Sequence, residues 1–155
     1  MESELYNNAI IHEARNNMAN RLTLPTSSAT IFSPLCGDRI SVDVQILNGR
    51  IVAIGQEVKG CILCQAATSI MTKCALNQSV DSLSSATSNL LNLLKNGTNQ
   101  LEQQWSALSI FAPVSRHKSR HDCIILPFQA LNEAVSQSIK TLVSRKRSNN
   151  KEGQH

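Results

Sequence analysis

Three cysteines and one aspartate, far apart in the chain, are each set among residues that favour loops. Cys36 and Asp38 lie on either side of Gly37, in a segment that begins with Pro34. Cys61 follows another glycine, and Cys123 follows a basic segment. Thiolates and carboxylates are metal ligands, and a tetrahedral zinc ion takes four such groups. The four side chains therefore predict one metal centre, or part of an iron–sulfur cluster site.

Each thiol is predicted to lie where its thiolate is favoured and accessible. The glycine after Cys36 lets the backbone bend, so that Cys36 and Asp38 can point at one centre. Cys61 is expected at a helix N-terminus, where free N–H groups and the helix dipole lower a thiol pKa below about 8.5. Cys123 is expected at the start of another helix. These positions favour function over simple burial.

The other two cysteines are predicted to be packing residues. Cys64 forms a lone Cys-x-x-Cys with Cys61, but the strand–helix–strand context of redox motifs is missing. Structural packing is favoured for Cys64, with an auxiliary thiol or ligand as the alternative. Cys74 falls on the apolar face of the same predicted helix, where we expect burial.

A basic loop precedes the last of the four candidate ligands. It runs over residues 116–121 and would stabilise thiolates or attract an acidic partner, although a solvated charged loop is an equal alternative. Arg120, three residues before Cys123, is the best functional candidate in it. His121 and Asp122 are both of ligand type and could enter the metal shell.

The first half of the chain predicts a helix followed by a small sheet. Apolar spacing indicates a helix over residues 4–18 and turn formers indicate a loop over 23–28. Alternation over 40–46 and Asn48-Gly49 predict a β-hairpin whose return strand ends near residue 60. Residues 29–33 could add a third strand.

The second half predicts helices. One of about 14 residues begins at Cys61, and a second is capped by Ser79 and stopped by Asn96-Gly97. A shorter helix ends before Pro113, and the last follows Cys123 with Pro127 in its first turn. Strands early and helices late predict an α+β fold, with about three antiparallel strands packed against about five helices.

Composition bounds the class of protein. A chain of 155 residues, 41% of them hydrophobic, fits one domain, which we place at residues 1–143. Residues 144–155 carry a net charge of +3 and are predicted to be a disordered tail. The acidic N-terminus and the lack of a long apolar run indicate a cytoplasmic protein without a membrane span. Nucleic-acid binding is not expected, since the tail alone would support it.

Three segments resemble one family. Leu35-Cys36-Gly37-Asp38-Arg39-Ile40, Val58-Lys59-Gly60-Cys61 with the small-residue helix after it, and Arg120-x-x-Cys123 are together similar to the IscU/SufU/NifU-N-terminal scaffold proteins of iron–sulfur cluster assembly. The resemblance covers roughly residues 4–143. The long stretch between Cys61 and Cys123 is similar to the SufU branch, and the chaperone-docking motif Leu-Pro-Pro-Val-Lys is absent.

The resemblance implies a SufE/IscU-like fold and specific roles. Cys36, Asp38, Cys61 and Cys123 would bind zinc or iron, and Cys36, Cys61 and Cys123 would hold a transient iron–sulfur cluster. Cys36 would accept sulfur as a persulfide from a cysteine desulfurase, with Arg120 as an auxiliary residue. Downstream iron–sulfur acceptor proteins are the other implied partners. Such a protein is a scaffold or sulfur acceptor more than a stand-alone enzyme.

Two residues depart from the family pattern. Asp122 stands where SufU-like chains usually have lysine and IscU-like chains histidine, and a cysteine is unusual at position 64. The competing hypothesis is a zinc-stabilised protein-interaction domain without sulfur transfer. A zinc hydrolase or deaminase is disfavoured, since the deaminase signature is absent.

Overall fold

Three antiparallel strands, in the order β1-β2-β3, form the sheet: β1 is Ser27–Phe32, β2 is Arg39–Leu47 and β3 is Arg50–Lys59. The computed structural model describes residues 7–152. Asn48 and Gly49 form the β2–β3 turn with φ of 53° and 75°, the geometry that Asn-Gly favours in a two-residue hairpin. The predicted hairpin and third strand are therefore confirmed.

Four α-helices and two 3-10 segments accompany the sheet in the described residues. The helices are α1 (Asn8–Asn16), α2 (Ile62–Ala75), α3 (Val80–Asn96) and α4 (His121–Glu152), and the 3-10 segments are Gln103–Arg116 and Lys118–Arg120. Helix α4 packs on β1 and β2, and α2 packs on β3, α1 and α4. The predicted α+β class is confirmed, and none of the described helices is long and apolar enough to cross a membrane.

The hydrophobic core lies between the sheet and the helices. One face of β2 contributes Ile40, Val42 and Val44, which have no solvent exposure. Trp105 and Phe128 pack with ring centroids 6.2 Å apart, and the Trp105 indole N–H donates to Ser82 Oγ over 3.0 Å. The longer 3-10 segment packs mainly on α3, with further contacts to α2 and α1.

The opposite face of the sheet is closed by the segment before β1. Asp43, predicted on the polar face of β2, is only 1% exposed there. The guanidinium of Arg21 donates to both Asp43 carboxylate oxygens over 2.7 and 2.9 Å, and the Leu22 N–H donates over 3.0 Å. Gly55 lies under the same segment, since a Cβ there would meet Asn20 O at 2.5 Å. The sheet is therefore covered on both faces around Asp43.

The predicted caps of α3 are confirmed. Ser79 is its N-cap and accepts from the Ser82 N–H over 3.1 Å. Gly97 ends it in the left-handed region with φ of 70°, which glycine adopts without a Cβ clash. The first helix is shorter than the predicted span of residues 4–18. Asn7 caps it and residues 4–6 lie outside the described part of the chain.

Two predicted helix boundaries are wrong. The helix expected to end before Pro113 is a 3-10 segment that continues to Arg116. Successive 3-10 turns are short, and a proline at the start of one loses no needed donor. Helix α4 begins at His121, before Cys123, so Pro127 lies in its second turn and cannot donate to the Cys123 carbonyl. The helical backbone continues to Glu152, into the segment predicted to be disordered, and the domain boundary at residue 143 stays a prediction.

Candidate metal centre

Ligand atoms of Cys36, Asp38 and Cys123 lie within 4.8 Å of one another. Cys36 is exposed, Asp38 is 6% exposed, and Cys123 is fully buried. The group therefore joins the β1–β2 loop to the first turn of α4 and opens to solvent on the Cys36 side. Two thiols and a carboxylate at this spacing suit a single zinc or ferrous ion.

The β1–β2 loop is folded tightly enough to aim both of its ligands at one point. Ser33 N–H donates to Asp38 O over 2.8 Å, and Gly37 N–H donates to Ser33 O over 2.9 Å. Gly37 has φ of 77°, which a side chain would make costly. Ser33 Oγ also accepts from the Cys36 N–H over 3.4 Å. The loop between Ser33 and Asp38 is thus a closed turn held by its own backbone.

Cys61 adjoins this group from the N-terminus of α2. It is the N-cap residue, half-buried, and its backbone N–H donates to Asp38 Oδ2 over 3.4 Å. The Cys61 sulfur is not in the set of ligand atoms that lie within 4.8 Å of one another, so Cys61 adjoins the three-residue group without belonging to it.

Gly60 makes the close approach of Cys61 and Asp38 feasible. A Cβ at Gly60 would lie 2.8 Å from Asp38 Cγ and 3.0 Å from Asp38 Oδ2. Real Cβ atoms do not pack so closely, so only glycine lets the end of β3 pass this carboxylate. Neither this contact nor the role of Ser33 was predicted. The only signal for it in the sequence is the glycine immediately before Cys61.

The pKa values of Cys61 and Cys123 shift in opposite directions because the two thiols act on each other. The hydrogen bond from the Cys123 thiol lowers the pKa of Cys61 to about 7, against the opposing effect of burial. The backbone N–H of Cys64, at the open end of α2, also lowers it. Donation to Cys61 and burial raise the pKa of Cys123. Of the two, Cys61 is therefore the thiol whose thiolate is favoured, at the helix N-terminus where this was expected.

The remaining candidates lie outside the ligand group. Arg120 is exposed, on the 3-10 turn just before α4. His121 Nε2 is 3.0 Å from Val114 O and 3.2 Å from Ser115 O, and since carbonyls only accept, this nitrogen carries the proton. His121 and Asp122 instead line a cavity of about 490 Å³ between α3 and the start of α4.

The two further cysteines lie on α2. Cys64 is fully buried, and its pKa is raised by burial and then by the charges of Asp38, Cys61 and Cys36. Cys74 is only half-buried, less than the burial predicted for it, and burial raises its pKa. Cys64 therefore lies next to the candidate centre, whereas Cys74 lies at the far end of the helix.

The fold and the site together define a small α+β protein that presents thiols and a carboxylate from the β1–β2 loop and from the N-terminal ends of α2 and α4. The chain belongs to the NifU-like N-terminal domain family, whose model matches residues 6–141. The family recognised from Cys36-Gly37-Asp38, Gly60-Cys61 and Cys123 is therefore confirmed.

Individual relatives agree with that assignment. The chain is 26% identical to the iron–sulfur cluster assembly scaffold protein IscU of Streptococcus pyogenes serotype M1, over 68% of this chain and 67% of that protein. It is 28% identical to the N-terminal part of a nitrogen-fixing NifU-like protein of Brucella abortus, with a TM-score of 0.86 over 90% of this chain and 97% of that one. A SUF-system scaffold protein of Fervidobacterium islandicum shares the fold, with a TM-score of 0.79 and 19% identity over 86% and 98% of the two chains.

Proposed function

We propose that this chain is a cytoplasmic iron–sulfur cluster assembly protein of SufU-like type. It binds zinc or iron, or a nascent cluster, through Cys36, Asp38, Cys61 and Cys123, and it accepts sulfur from a cysteine desulfurase. The observation that carries the proposal is the convergence of Cys36, Asp38 and Cys123 within 4.8 Å. Cys61 completes the set when its sulfur turns toward the other three.

The ligand chemistry fits a centre that is loaded and unloaded. Three thiolates hold zinc and iron strongly, whereas a single carboxylate is a harder and more exchangeable ligand for them. Asp38 is therefore the ligand that a partner residue displaces. Iron held in this way is a substrate for cluster assembly, and the finished cluster passes to downstream acceptor proteins.

Sulfur acceptance is assigned to Cys36 because it is the exposed thiol of the group. Its thiolate attacks the outer sulfur of a persulfide on the desulfurase. The sulfur–sulfur bond of that persulfide breaks, the desulfurase cysteine leaves as a thiolate, and Cys36 carries the new persulfide. Arg120, exposed beside the start of α4, supports this step by attracting the anionic donor.

A desulfurase assay tests the proposal. Cysteine and a desulfurase of the SUF type are incubated with this chain, and persulfide on each cysteine is mapped by alkylation and peptide mass. Wild type stimulates sulfur release and becomes persulfidated at Cys36. Cys36→Ala loses both effects, whereas Asp38→Ala keeps the Cys36 thiol but binds metal more weakly.

Cys74→Ala is the matched control, since that thiol lies at the far end of α2, and it behaves as wild type. Equal stimulation and persulfidation in Cys36→Ala and wild type would refute the acceptor assignment. Metal binding with no effect on any desulfurase would favour the zinc-stabilised interaction domain instead. Reconstitution with iron and sulfide, followed by absorbance and iron content, tests the scaffold role separately.

A further inference from the structure

One buried nucleophile beside the candidate centre has no part in the proposed function. Cys64 is fully buried, is outside the ligand group, and lies one helical turn after Cys61. It lies close to the centre, because it is in the first turn of α2 and the N-cap of that helix, Cys61, donates its N–H to Asp38 Oδ2 over 3.4 Å. The four-residue segment Cys61–Cys64 thus contains one half-buried thiol of the site, Cys61, and one buried thiol, Cys64.

The two cysteines lie at a separation that a disulfide can span. Cys61 is the N-cap of α2 and Cys64 is its third residue. Residues three apart on a helix have Cβ atoms about 5–6 Å apart. Disulfides need Cβ atoms about 3.5–4.5 Å apart, so a bond across this first turn requires the two Cβ atoms to approach by about 1–2 Å.

We propose that Cys64 is the resolving thiol of the site: it attacks a persulfide on Cys61, releases the outer sulfur as sulfide and leaves a Cys61–Cys64 disulfide. This inference rests on the proposed sulfur-acceptor function. The chain would then supply cluster assembly with sulfide, the oxidation state that iron–sulfur clusters contain, and not only with bound persulfide sulfur.

The sulfur reaches Cys61 by thiol exchange. The Cys61 thiolate attacks the outer sulfur of a persulfide on Cys36, and Cys36 leaves as a thiolate. The two residues belong to one site, because Cys36 is grouped with Asp38 within 4.8 Å and the Cys61 N–H donates to Asp38 Oδ2 over 3.4 Å. A donor persulfide can also transfer sulfur directly to Cys61, which is half-buried and not enclosed.

The resolving step balances with the groups already named. The Cys64 sulfur forms a bond to the inner sulfur of the Cys61 persulfide, and the bond from inner to outer sulfur breaks. The outer sulfur leaves as hydrosulfide with the electron pair of that bond and with the Cys64 proton. The two cysteines are oxidised to a disulfide, the transferred sulfur is reduced to sulfide, and a thiol reductant must reopen the disulfide before another turnover.

Cys64 is better suited to this step than Cys123. Cys123 is one of the three grouped ligands, so its oxidation would dismantle the centre that receives the sulfide. Cys64 holds no ligand position and is shielded from external oxidants by its burial. Its thiol proton is used in the step itself, because the departing sulfur takes it.

A single-turnover experiment on the metal-free, reduced full-length chain tests the proposal. Glutathione persulfide is added without further reductant, and sulfide is measured with a sulfide-selective electrode. Trypsin then releases Gly60–Lys73, which contains both Cys61 and Cys64. Wild type is expected to release sulfide stoichiometrically and to yield this peptide two hydrogens lighter.

Cys64→Ser and Cys64→Ala are expected to retain the persulfide on Cys61 and to release sulfide only at the rate of the protein-free control. Cys74→Ala, on the same helix, is the matched control and behaves as wild type. Sulfide release by both Cys64 variants at the wild-type rate would overturn the proposal, as would a disulfide between Cys61 and Cys123. Circular dichroism checks that each Cys64 variant is folded, and one folded variant is enough to decide between these outcomes.

A second arm separates this inference from the proposed function. The same measurements are made with a desulfurase and cysteine in place of glutathione persulfide. Resolution with the chemical donor but no transfer from the desulfurase would overturn the proposed acceptor function and support the resolving role. Transfer from the desulfurase with a stable persulfide in wild type would support the acceptor function and overturn the resolving role.

Discussion

Gly60 and Asp38 are packed so closely that a Cβ on the glycine would lie 2.8 Å from the carboxylate carbon. This contact ties the end of β3 to the β1–β2 loop, and it fixes the carboxylate beside the Cys61 N–H, 3.4 Å from Asp38 Oδ2. Gly60, which is not a ligand, therefore sets the position of Asp38, which is proposed to be one.

Gly60→Ala is expected to weaken metal binding without removing a ligand. The added methyl group displaces the Asp38 carboxylate, and loss of such supporting contacts typically costs about 10–100-fold in metal affinity. Zinc affinity measured by competition with a chromophoric chelator checks this. Lys59→Ala, the exposed neighbour, is the control and keeps wild-type affinity. Unchanged affinity in Gly60→Ala would show that the carboxylate is not needed where the structure has it.

Zinc is expected to raise the melting temperature of wild type. Binding to the folded state alone stabilises it by about 2.7 kcal/mol at a free concentration of 100 Kd. Cys123→Ser and Asp38→Ala should lose most of this rise, and a chelator should reverse it in wild type. Cys74→Ala is the control that keeps it. A rise that survives in Cys123→Ser would mean that zinc binds elsewhere on the chain.

Asp43 is expected to make folding stability fall at low pH. Arg21, Ser28 and the Leu22 N–H lower its pKa from 3.8 to about 2. Such a depressed pKa adds about 2 kcal/mol of stability above pH 4, which is lost as the pH falls toward 2. Urea unfolding between pH 7 and pH 2 measures this loss.

Asp43→Asn should remove that part of the pH dependence and lower the unfolding free energy at pH 7 by about 2 kcal/mol or more, because Arg21 loses its buried partner. Asp81→Asn, exposed in the first turn of α3, is the control, with a change of a few tenths of a kcal/mol. Parallel curves for wild type and Asp43→Asn between pH 4 and pH 2 would contradict the assignment.

Gly55→Ala is expected to destabilise the sheet. Its Cβ would lie 2.5 Å from Asn20 O and 2.7 Å from Leu22 N, and both contacts are backbone atoms that a rotamer change cannot move. Overpacking of this kind costs about 1–3 kcal/mol. Glu57→Ala, exposed on the same strand, should stay within about 0.5 kcal/mol. Chemical denaturation of both variants makes the comparison, and equal stabilities would mean that the segment before β1 yields easily.

The parts of the fold that could be predicted depend on neighbours in the chain. Asn48 and Gly49 specify their turn by their own φ preferences, and Ser79 and Gly97 end α3 through bonds to residues within one turn. Two of the segments that present candidate ligands, the β1–β2 loop and the start of α2, were predicted for the same reason. Glycines beside Cys36 and Cys61 have local conformational consequences that a sequence displays.

What could not be predicted depends on contacts across the fold. Asp43 alternates like an outward polar residue, but the segment that carries Arg21, 22 positions away, covers it and makes it a buried one. His121 has the chemistry of a ligand, but the carbonyls of Val114 and Ser115 hold its nitrogen elsewhere. The closeness of Gly60 to Asp38 likewise depends on how β3 and the β1–β2 loop meet, which no local pattern encodes.

The three sulfurs differ in their access to solvent, with Cys36 exposed, Cys61 half-buried and Cys123 enclosed. An ion or cluster bound among them would face solvent on the Cys36 side only, so a partner protein that displaces Asp38 approaches from that side while Cys123 still holds the cargo. Release would then begin at Asp38 and end at Cys123. Cys123, the most buried thiol, would be the last ligand to release the cargo, so the cargo would not be lost to bulk solvent before the recipient has bound it.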